Sequence, residues 1–459
     1  MSAPLAVFFG AGKVACGLLG YLCFQSGYRN LFVARRPEVI GAIERHRGYT
    51  VNMLGAKSSR IEVRNSRALS IRDDEAVIEA VAAADVVFTS VGIDNLHAIA
   101  PHIAAGLWRR ARRGGRRDLN VVACENLPGA GAYLRHQIVG AAASDASILV
   151  DHVGGFSAAL TRQIMTGGEV RDGSIGFNVQ GRSPLVVDKA GLRPPLPTLQ
   201  GALFSDAFPS VVMRKLFTLN CAHAVAAYLG YREGCRFVHE AAVHPRVVPI
   251  LTGALAEAEA ALQAEFPAAA AEIAAEVVEA LVQIRDPRLA DPIARVARGP
   301  RRKLAPRERL VGPARLATRH GLAHENLCRA IAATLAYDAV EDAEAVSMQR
   351  AIADHGVTQV ITEDCGLLPH EPLAQEIKHQ WHQLTAQTNG LAVFSAAPTP
   401  SLERIRGNVA RDLSRRFNAD LVHAAVERAA GRFEEARVWS YVEILMKRAA
   451  LHELASHAN

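Results

Sequence analysis

No run of about twenty uncharged apolar residues occurs anywhere in the 459-residue chain, which excludes a membrane-spanning helix. The N-terminus lacks a basic segment followed by an apolar one and a cleavage site, so no secretory leader is expected and the cytoplasm is the expected location. Cysteine is scarce: the seven residues (Cys16, Cys23, Cys124, Cys221, Cys235, Cys328, Cys365) are odd in number, widely spaced and form no C-x-x-C pair. Neither a disulfide framework nor a zinc site is indicated, and no metal is expected. Aromatic residues make up only 6% of the chain and charged residues 21%, against 50% hydrophobic, the balance of a soluble α-rich or α/β protein rather than a disordered or fibrous one. No internal repeat is present, and the length suits two or three domains.

A small basic excess, 52 Lys+Arg against 46 Asp+Glu, gives a net charge of +6. It concentrates in two stretches, Arg109 to Arg117 and Arg295 to Arg309. The first lies in a Gly-containing crossover and reads as a solvated loop.

The first third alternates short apolar runs with helical stretches. Leu5 to Phe9, Asn30 to Ala34, Asp85 to Val91 and Leu119 to Ala123 read as buried strands, with Lys13 to Ser26 and Asp74 to Ala83 as helices. That alternation predicts a doubly wound parallel sheet of Rossmann type. Past about Pro197 the strand pattern stops; from Val211 to about residue 386 the chain is nearly all helix-forming, with Gly253 to Glu265 helical and Pro267 opening the next helix to about Ile284. The Gly- and Pro-containing stretch Gly167 to Pro197 is expected to carry a hairpin. The expected division is residues 1–195 as a dinucleotide-binding domain, 196–390 as a helical substrate and catalytic domain, and, after a Pro/Ser/Ala connector, 402–459 as a charged helical extension of unknown role with about three helices.

The loop after the first strand reads Gly10-Ala11-Gly12-Lys13-Val14-Ala15, a G-x-G-x-x-A pattern between strand and helix. The first glycine permits a tight turn, the second lets the backbone approach a pyrophosphate, and the helix N-terminus faces the anion. The alternative is a glycine-rich turn without a ligand. The second strand ends Ala34-Arg35-Arg36, with no carboxylate before Glu38. Two guanidinium groups suit the 2′-phosphate of NADP, which an acid there would repel, so NADP is favoured over NAD. In the alternative both arginines are solvated and Glu38 holds the ribose.

In the helical part, Lys215, Asn220 and His223 stand within nine residues. Spaced by five and then three, they do not share one strict helical stripe, though a ligand at the helix side can touch all three. A buried lysine has a lowered pKa and can carry a proton near neutrality. A lone lysine or histidine on a helix is, by spacing alone, more often structural.

The chain resembles the polyol-specific long-chain dehydrogenase family. The resemblance rests on FFGAGKVACGLLG (Phe8 to Gly20), RGYTVN (Arg47 to Asn52), CENLPG (Cys124 to Gly129), KLFTLNCAHAVAAYLG (Lys215 to Gly230) and IRDPRLADPIARVARGPRRKLAPRERLVGPA (Ile284 to Ala314), and covers about residues 4–385. It implies that Lys215 is the general acid/base, that Asn220 bonds the alkoxide-like oxygen, that His223 orients substrate hydroxyls, and that Glu125 and Asn126 contact the cofactor. Ser157 stands where many members carry an asparagine that supplies a second oxyanion contact, and it is expected to touch substrate. From the basic block, Arg301, Arg302, Lys303, Arg307 and Arg309 include candidates for a substrate phosphate, with Arg301, Arg302 and Arg309 foremost; the alternative is a solvated basic face.

The resemblance thus implies interconversion of mannitol 1-phosphate and fructose 6-phosphate with NADP or NAD. A dehydrogenase of a free hexitol or sugar acid is the second reading, and a non-catalytic dinucleotide sensor or scaffold the third. A small-molecule partner, no nucleic acid, no membrane, and a monomer or dimer are expected.

Overall fold

The computed structural model describes residues 3–390 except 55–57, 114–117, 126–128 and 181–182, and beyond these residues 406, 409–410, 414 and 419–430. The strands are β1 Leu5–Phe9, β2 Arg29–Ala34, β3 Tyr49–Leu54, β4 Ser59–Val63, β5 Ser66–Ser70, β6 Val86–Thr89, β7 Leu119–Ala123, β8 Gly154–Leu160, β9 Ile164–Arg171, β10 Ser174–Gln180, β11 Leu185–Asp188 and β12 Ala202–Ser205. Among the described residues they form an eight-stranded sheet ordered β12-β11-β8-β7-β6-β1-β2-β5 and a four-stranded sheet ordered β4-β3-β10-β9.

The large sheet is parallel except where β11 runs against β8. Its central strands, β6 and β7, are buried along their whole length, as a sheet covered on both faces requires. On one face Phe8 stacks on Phe32 and Phe88 at 4.7 and 5.5 Å. On the other Val7, Phe9, Val33 and Val87 meet helices Asp74–Ala83 and Leu96–Arg113. Each phenylalanine fully buried this way contributes about 1.5–3 kcal/mol. The fold is therefore α/β, with helices beyond β12.

Three parts differ from the sequence expectation. A strand, β12, follows Pro197 and pairs with β11 at the sheet edge, where Leu203 is largely exposed. The small sheet was not foreseen: β3 pairs in parallel with β10 more than a hundred residues later, and Val51, Phe177 and Val179 join the core beside the first helical segment. The described part of the arginine run, Arg109 to Arg113, is not a solvated loop either. Arg109 and Arg113 lie in helix Leu96–Arg113 and pair with Glu75 and Glu79 of the neighbouring helix. Arg110 is 5% exposed and donates to the carbonyls of Ala82 and Ala84 at 3.0 and 2.7 Å, closing the C-terminal end of helix Asp74–Ala83, where a cation is favoured. Arg116 and Arg117 lie outside the described residues.

The helical part is built round Cys221–Arg232, buried on nearly every side, with Tyr228 edge-on to Tyr337 at 5.3 Å. Helices Val248–Glu265, Ile293–Ala297 and Glu325–Leu335 pack against it. Among the described residues no helix is long and apolar enough to cross a membrane. The chain divides into two compact units, Met1–Trp381 and His382–Asn459. In the second, helix Ala419–Ala430 buries Val422, Ala425 and Val426, and Arg406 pairs with Glu427 at 3.1 Å; the other helices expected there lie outside the described residues.

Candidate active site

Two hollows lie on either side of the glycine loop. The first is lined by Gly10, Ala11 and Gly12 together with Arg35 and Arg36 at the end of β2. Gly10 has φ +105°, a backbone that favours glycine, and a Cβ there would come within 2.8 Å of the Ser90 carbonyl. A Cβ on Gly12 would meet nothing within 4 Å, so this backbone faces open space. The hydroxyl of Ser90, beside Gly10, is buried without a hydrogen-bond partner. A tight glycine turn, an open backbone and an orphaned hydroxyl fit a dinucleotide's pyrophosphate. Lys13 is exposed and lines neither hollow, whereas Val14 lines the second. Arg36 stands 3.7 Å from Glu38 and reaches the Gly168 carbonyl at 3.4 Å, both loose contacts.

The second hollow, about 490 Å³, gathers Glu125, Lys215, Asn220 and His223. Lys215 ends helix Phe208–Lys215, and the next five residues, Leu216–Asn220, wind as a π-turn closed by the Cys221 amide on the Leu216 carbonyl. In an α-helix residues five apart stand about 140° round the axis from each other; the wider i→i+5 winding brings Asn220 back toward the side of Lys215. His223 follows Asn220 by three residues in the resumed α-helix, on the same face. The spacing that looked irregular is the spacing this turn requires.

Lys215 is half-buried. Burial, aided by the nearby Arg162 and Arg309 guanidinium groups, lowers its pKa to about 8. The His223 Nδ1 lies 3.1 Å from the Leu219 carbonyl, which can only accept, so that nitrogen carries the proton. Burial lowers the His223 pKa, with Asp291 opposing, and the neutral ring then offers its Nε2 lone pair to a hydroxyl. Glu125 is buried and takes the amides of Val91 and Gly92 at 2.8 and 3.0 Å; burial raises its pKa. It thereby holds the loop after β6 that borders the first hollow. Asn126 lies outside the described residues.

The wall opposite is cationic: Arg295, Arg298, Arg302, Lys303 and Arg309 line it. Asp291 neutralises Arg295 through two bonds, at 2.6 and 2.5 Å. Lys303 donates to the carbonyls of Ala297, Arg298 and Gly299 and so braces the end of helix Ile293–Ala297. Arg309 is 8% exposed; its Nε donates to Glu308 at 2.9 Å while its Nη2 is buried without a partner.

Three residues expected at the substrate lie outside the hollow. Arg301 bonds Asp364 at 2.7 Å and does not line the hollow: on the single turn Pro300–Leu304 neighbouring residues point about 100° apart, so Arg302 and Lys303 reach it and Arg301 does not. Arg307 is exposed and also outside. Ser157 is 1% exposed and donates to the Asp188 carbonyl of β11 at 2.5 Å; its side chain serves the sheet and does not line the hollow. Arg295 and Arg298 were not singled out from sequence; the Asp291–Arg295 spacing of four was the available signal for the first. Among the described residues no group of three or more His, Cys, Asp or Glu is arranged to hold a metal ion.

The family model described as the mannitol dehydrogenase Rossmann domain matches residues 4–191, and that described as the mannitol dehydrogenase C-terminal domain matches 209–385. A mannitol-1-phosphate 5-dehydrogenase of Bacillus velezensis is 32% identical over 370 residues, 80% of this chain and 97% of that one. Among solved structures, Pseudomonas fluorescens mannitol 2-dehydrogenase in ternary complex with NAD and D-mannitol superposes with a TM-score of 0.64 at 16% identity, over 85% of this chain and 93% of that one. A D-sorbitol dehydrogenase in substrate-free form gives 0.66 at 14% identity, over 84% and 93%. At such identities the two structures speak for the fold.

Proposed function

We propose, from the premise that the chain belongs to the mannitol dehydrogenase family and is a polyol dehydrogenase, that it interconverts mannitol 1-phosphate and fructose 6-phosphate with a nicotinamide dinucleotide, NADP preferred. The observation that carries the phosphate is the buried, unpartnered Nη2 of Arg309 in a wall that also holds Arg298 and Arg302. A guanidinium in that state lacks an acceptor, and a phosphomonoester supplies oxygens in the matching geometry. The curated relative from Bacillus velezensis is named for the same substrate.

A bound nicotinamide supplies the acceptor or donor of hydride. In the oxidative direction neutral Lys215 takes the hydroxyl proton as hydride leaves the same carbon. Asn220 donates to the oxygen while it carries alkoxide charge, an interaction that strengthens in the transition state. His223, through Nε2, accepts from a neighbouring substrate hydroxyl and fixes which carbon is presented. In the reductive direction the Lys215 ammonium returns the proton.

Steady-state reduction of a panel of ketoses, ketose phosphates and keto sugar acids with NADH and NADPH tests the reading. The same cationic wall also suits a carboxylate, so a preference for a sugar acid over fructose 6-phosphate replaces the phosphate assignment.

Two further results are expected. Because Arg35 and Arg36 border the first hollow, NADPH should surpass NADH in kcat/KM, and Arg35→Ala with Arg36→Ala should cost NADPH about 1.5–3 kcal/mol per lost charged bond and leave NADH nearly untouched. A native preference for NADH sinks the assignment. The lowered Lys215 pKa also sets a pH dependence. Oxidation needs the neutral amine, so its kcat/KM should rise toward a plateau above about pH 8; reduction needs the ammonium and should fall above the same pH. Profiles that are flat from neutral to mildly alkaline pH in both directions would remove Lys215 as the titrating group.

A further inference from the structure

Directly behind the π-turn lies a buried charge network that the proposed chemistry does not use. Arg162, just past the end of β8, is 8% exposed. Its Nη2 donates to the Thr218 hydroxyl at 3.1 Å and to the Glu276 carbonyl at 3.1 Å. Its Nη1 lies 3.5 Å from the Glu276 carboxylate and its Nε 3.7 Å from that of Glu279, and neither nitrogen has a hydrogen-bond partner. Glu276 is bonded instead by Arg214 at 2.6 and 3.2 Å, and Glu279 accepts from Ser183 and Gln283. Thr218 is fully buried in the middle of the turn and donates to the Arg214 carbonyl at 2.7 Å. A buried guanidinium with two nitrogens held by charge alone is a costly way to fill space, and apolar residues of equal volume commonly do that better.

We infer that Arg162 is a positioning residue for proton transfer: it fastens the π-turn, through Thr218, to the end of β8, and so holds Lys215 and Asn220 toward one hollow. The inference rests on reading Lys215 as the proton carrier. The residues on either side of Arg162, Thr161 and Gln163, line that hollow, so the sheet end and the turn are held at one point. A turn of this type loses a residue's worth of regular α-helical bonding, and an external donor on its central hydroxyl offsets that cost. Arg162 also acts by charge on Lys215, making the ammonium less favourable. The other charged groups around Lys215 are Arg309 and Glu308 ahead of helix Val311–Arg319 and Glu125 beyond β7. Glu276 and Glu279 of helix Ala270–Ile284, with Arg214, face Arg162 on its other side.

The test compares Arg162→Met, Arg162→Lys and Thr218→Val in the full chain, reading thermal melting, KM for cofactor, kcat and the pH profile of polyol oxidation. Arg162→Met should lower kcat about tenfold or more at unchanged cofactor KM and move the rising limb up by about half a pH unit or more. Arg162→Lys should restore the position of the limb but not kcat. Thr218→Val keeps the charge and removes the acceptor, so it should lower kcat with the limb in place, and it carries the test if Arg162→Met fails to fold. Folded variants with wild-type kcat and an unmoved limb overturn the inference, while Lys215 keeps its role. A wild-type profile without any limb, together with an active Lys215→Ala, overturns the Lys215 reading instead.

Discussion

Lys215→Ala is expected to lower kcat by about 10²–10⁴-fold, the usual contribution of a positioned acid/base, with dinucleotide affinity nearly unchanged. The loss should not come from unfolding. Lys215 stands near two other cations, Arg162 and Arg309, and its ammonium is disfavoured by burial. A group whose pKa is lowered on folding is held less well when protonated than in the unfolded chain, so its removal relieves repulsion and the melting temperature should hold or rise. Rapid-mixing measurement of the hydride step at saturating cofactor separates this from a defect in binding. Turnover near that of the wild type takes Lys215 out of the mechanism.

Fructose 6-phosphate should exceed fructose in kcat/KM by about a hundredfold or more, since two charge-assisted bonds to a phosphate contribute about 1.5–3 kcal/mol each. The arginines of the block should then divide sharply. Arg302→Ala, at an exposed position facing the hollow, should raise KM for the phosphate ester about tenfold and leave weak activity on fructose alone. Arg309→Lys keeps a charge beside Glu308 but loses the fork, and should raise KM by a similar factor. Arg301→Ala should leave KM untouched and lower the melting temperature, because its partner Asp364 is buried and left unpaired. Equal turnover of fructose and its phosphate, or three arginines that behave alike, sinks the phosphate site.

Sequence periodicity was enough where structure is local. Strands Leu5–Phe9 and Leu119–Ala123 and helix Asp74–Ala83 fall where the alternation of apolar runs and helical stretches places them, and the structure shows Asp73 capping that helix by accepting from the Ala76 amide. It failed where distance in sequence decides. β3 pairs on one side with β4, next in the chain, but on the other with β10, and nothing near Tyr49–Leu54 states that distant partner. Composition likewise could not tell a clamp from a loop at Arg109 to Arg113, since the deciding groups, Glu75, Glu79 and two carbonyls, lie on another helix. In the site, Lys215, Asn220, His223 and the glycine loop were legible as a set. Which arginine of the adjacent pair Arg301 and Arg302 meets the hollow was not, because that depends on how one short helical turn is rotated.

The winding at Leu216–Asn220 has a consequence for how such a site can change over evolutionary time. A π-turn is an α-helix with one residue inserted, so it is gained or lost by altering chain length and not by exchanging one side chain for another. Point substitutions can weaken Lys215 or Asn220 individually, but none of them rotates one relative to the other. Deleting a single codon between them does so at once, and also turns His223 and the rest of the buried helix by about 100° against its neighbours. The relative placement of the two groups is thus insulated from gradual drift, and homologues should differ in this segment by the identity of its residues far more readily than by their number.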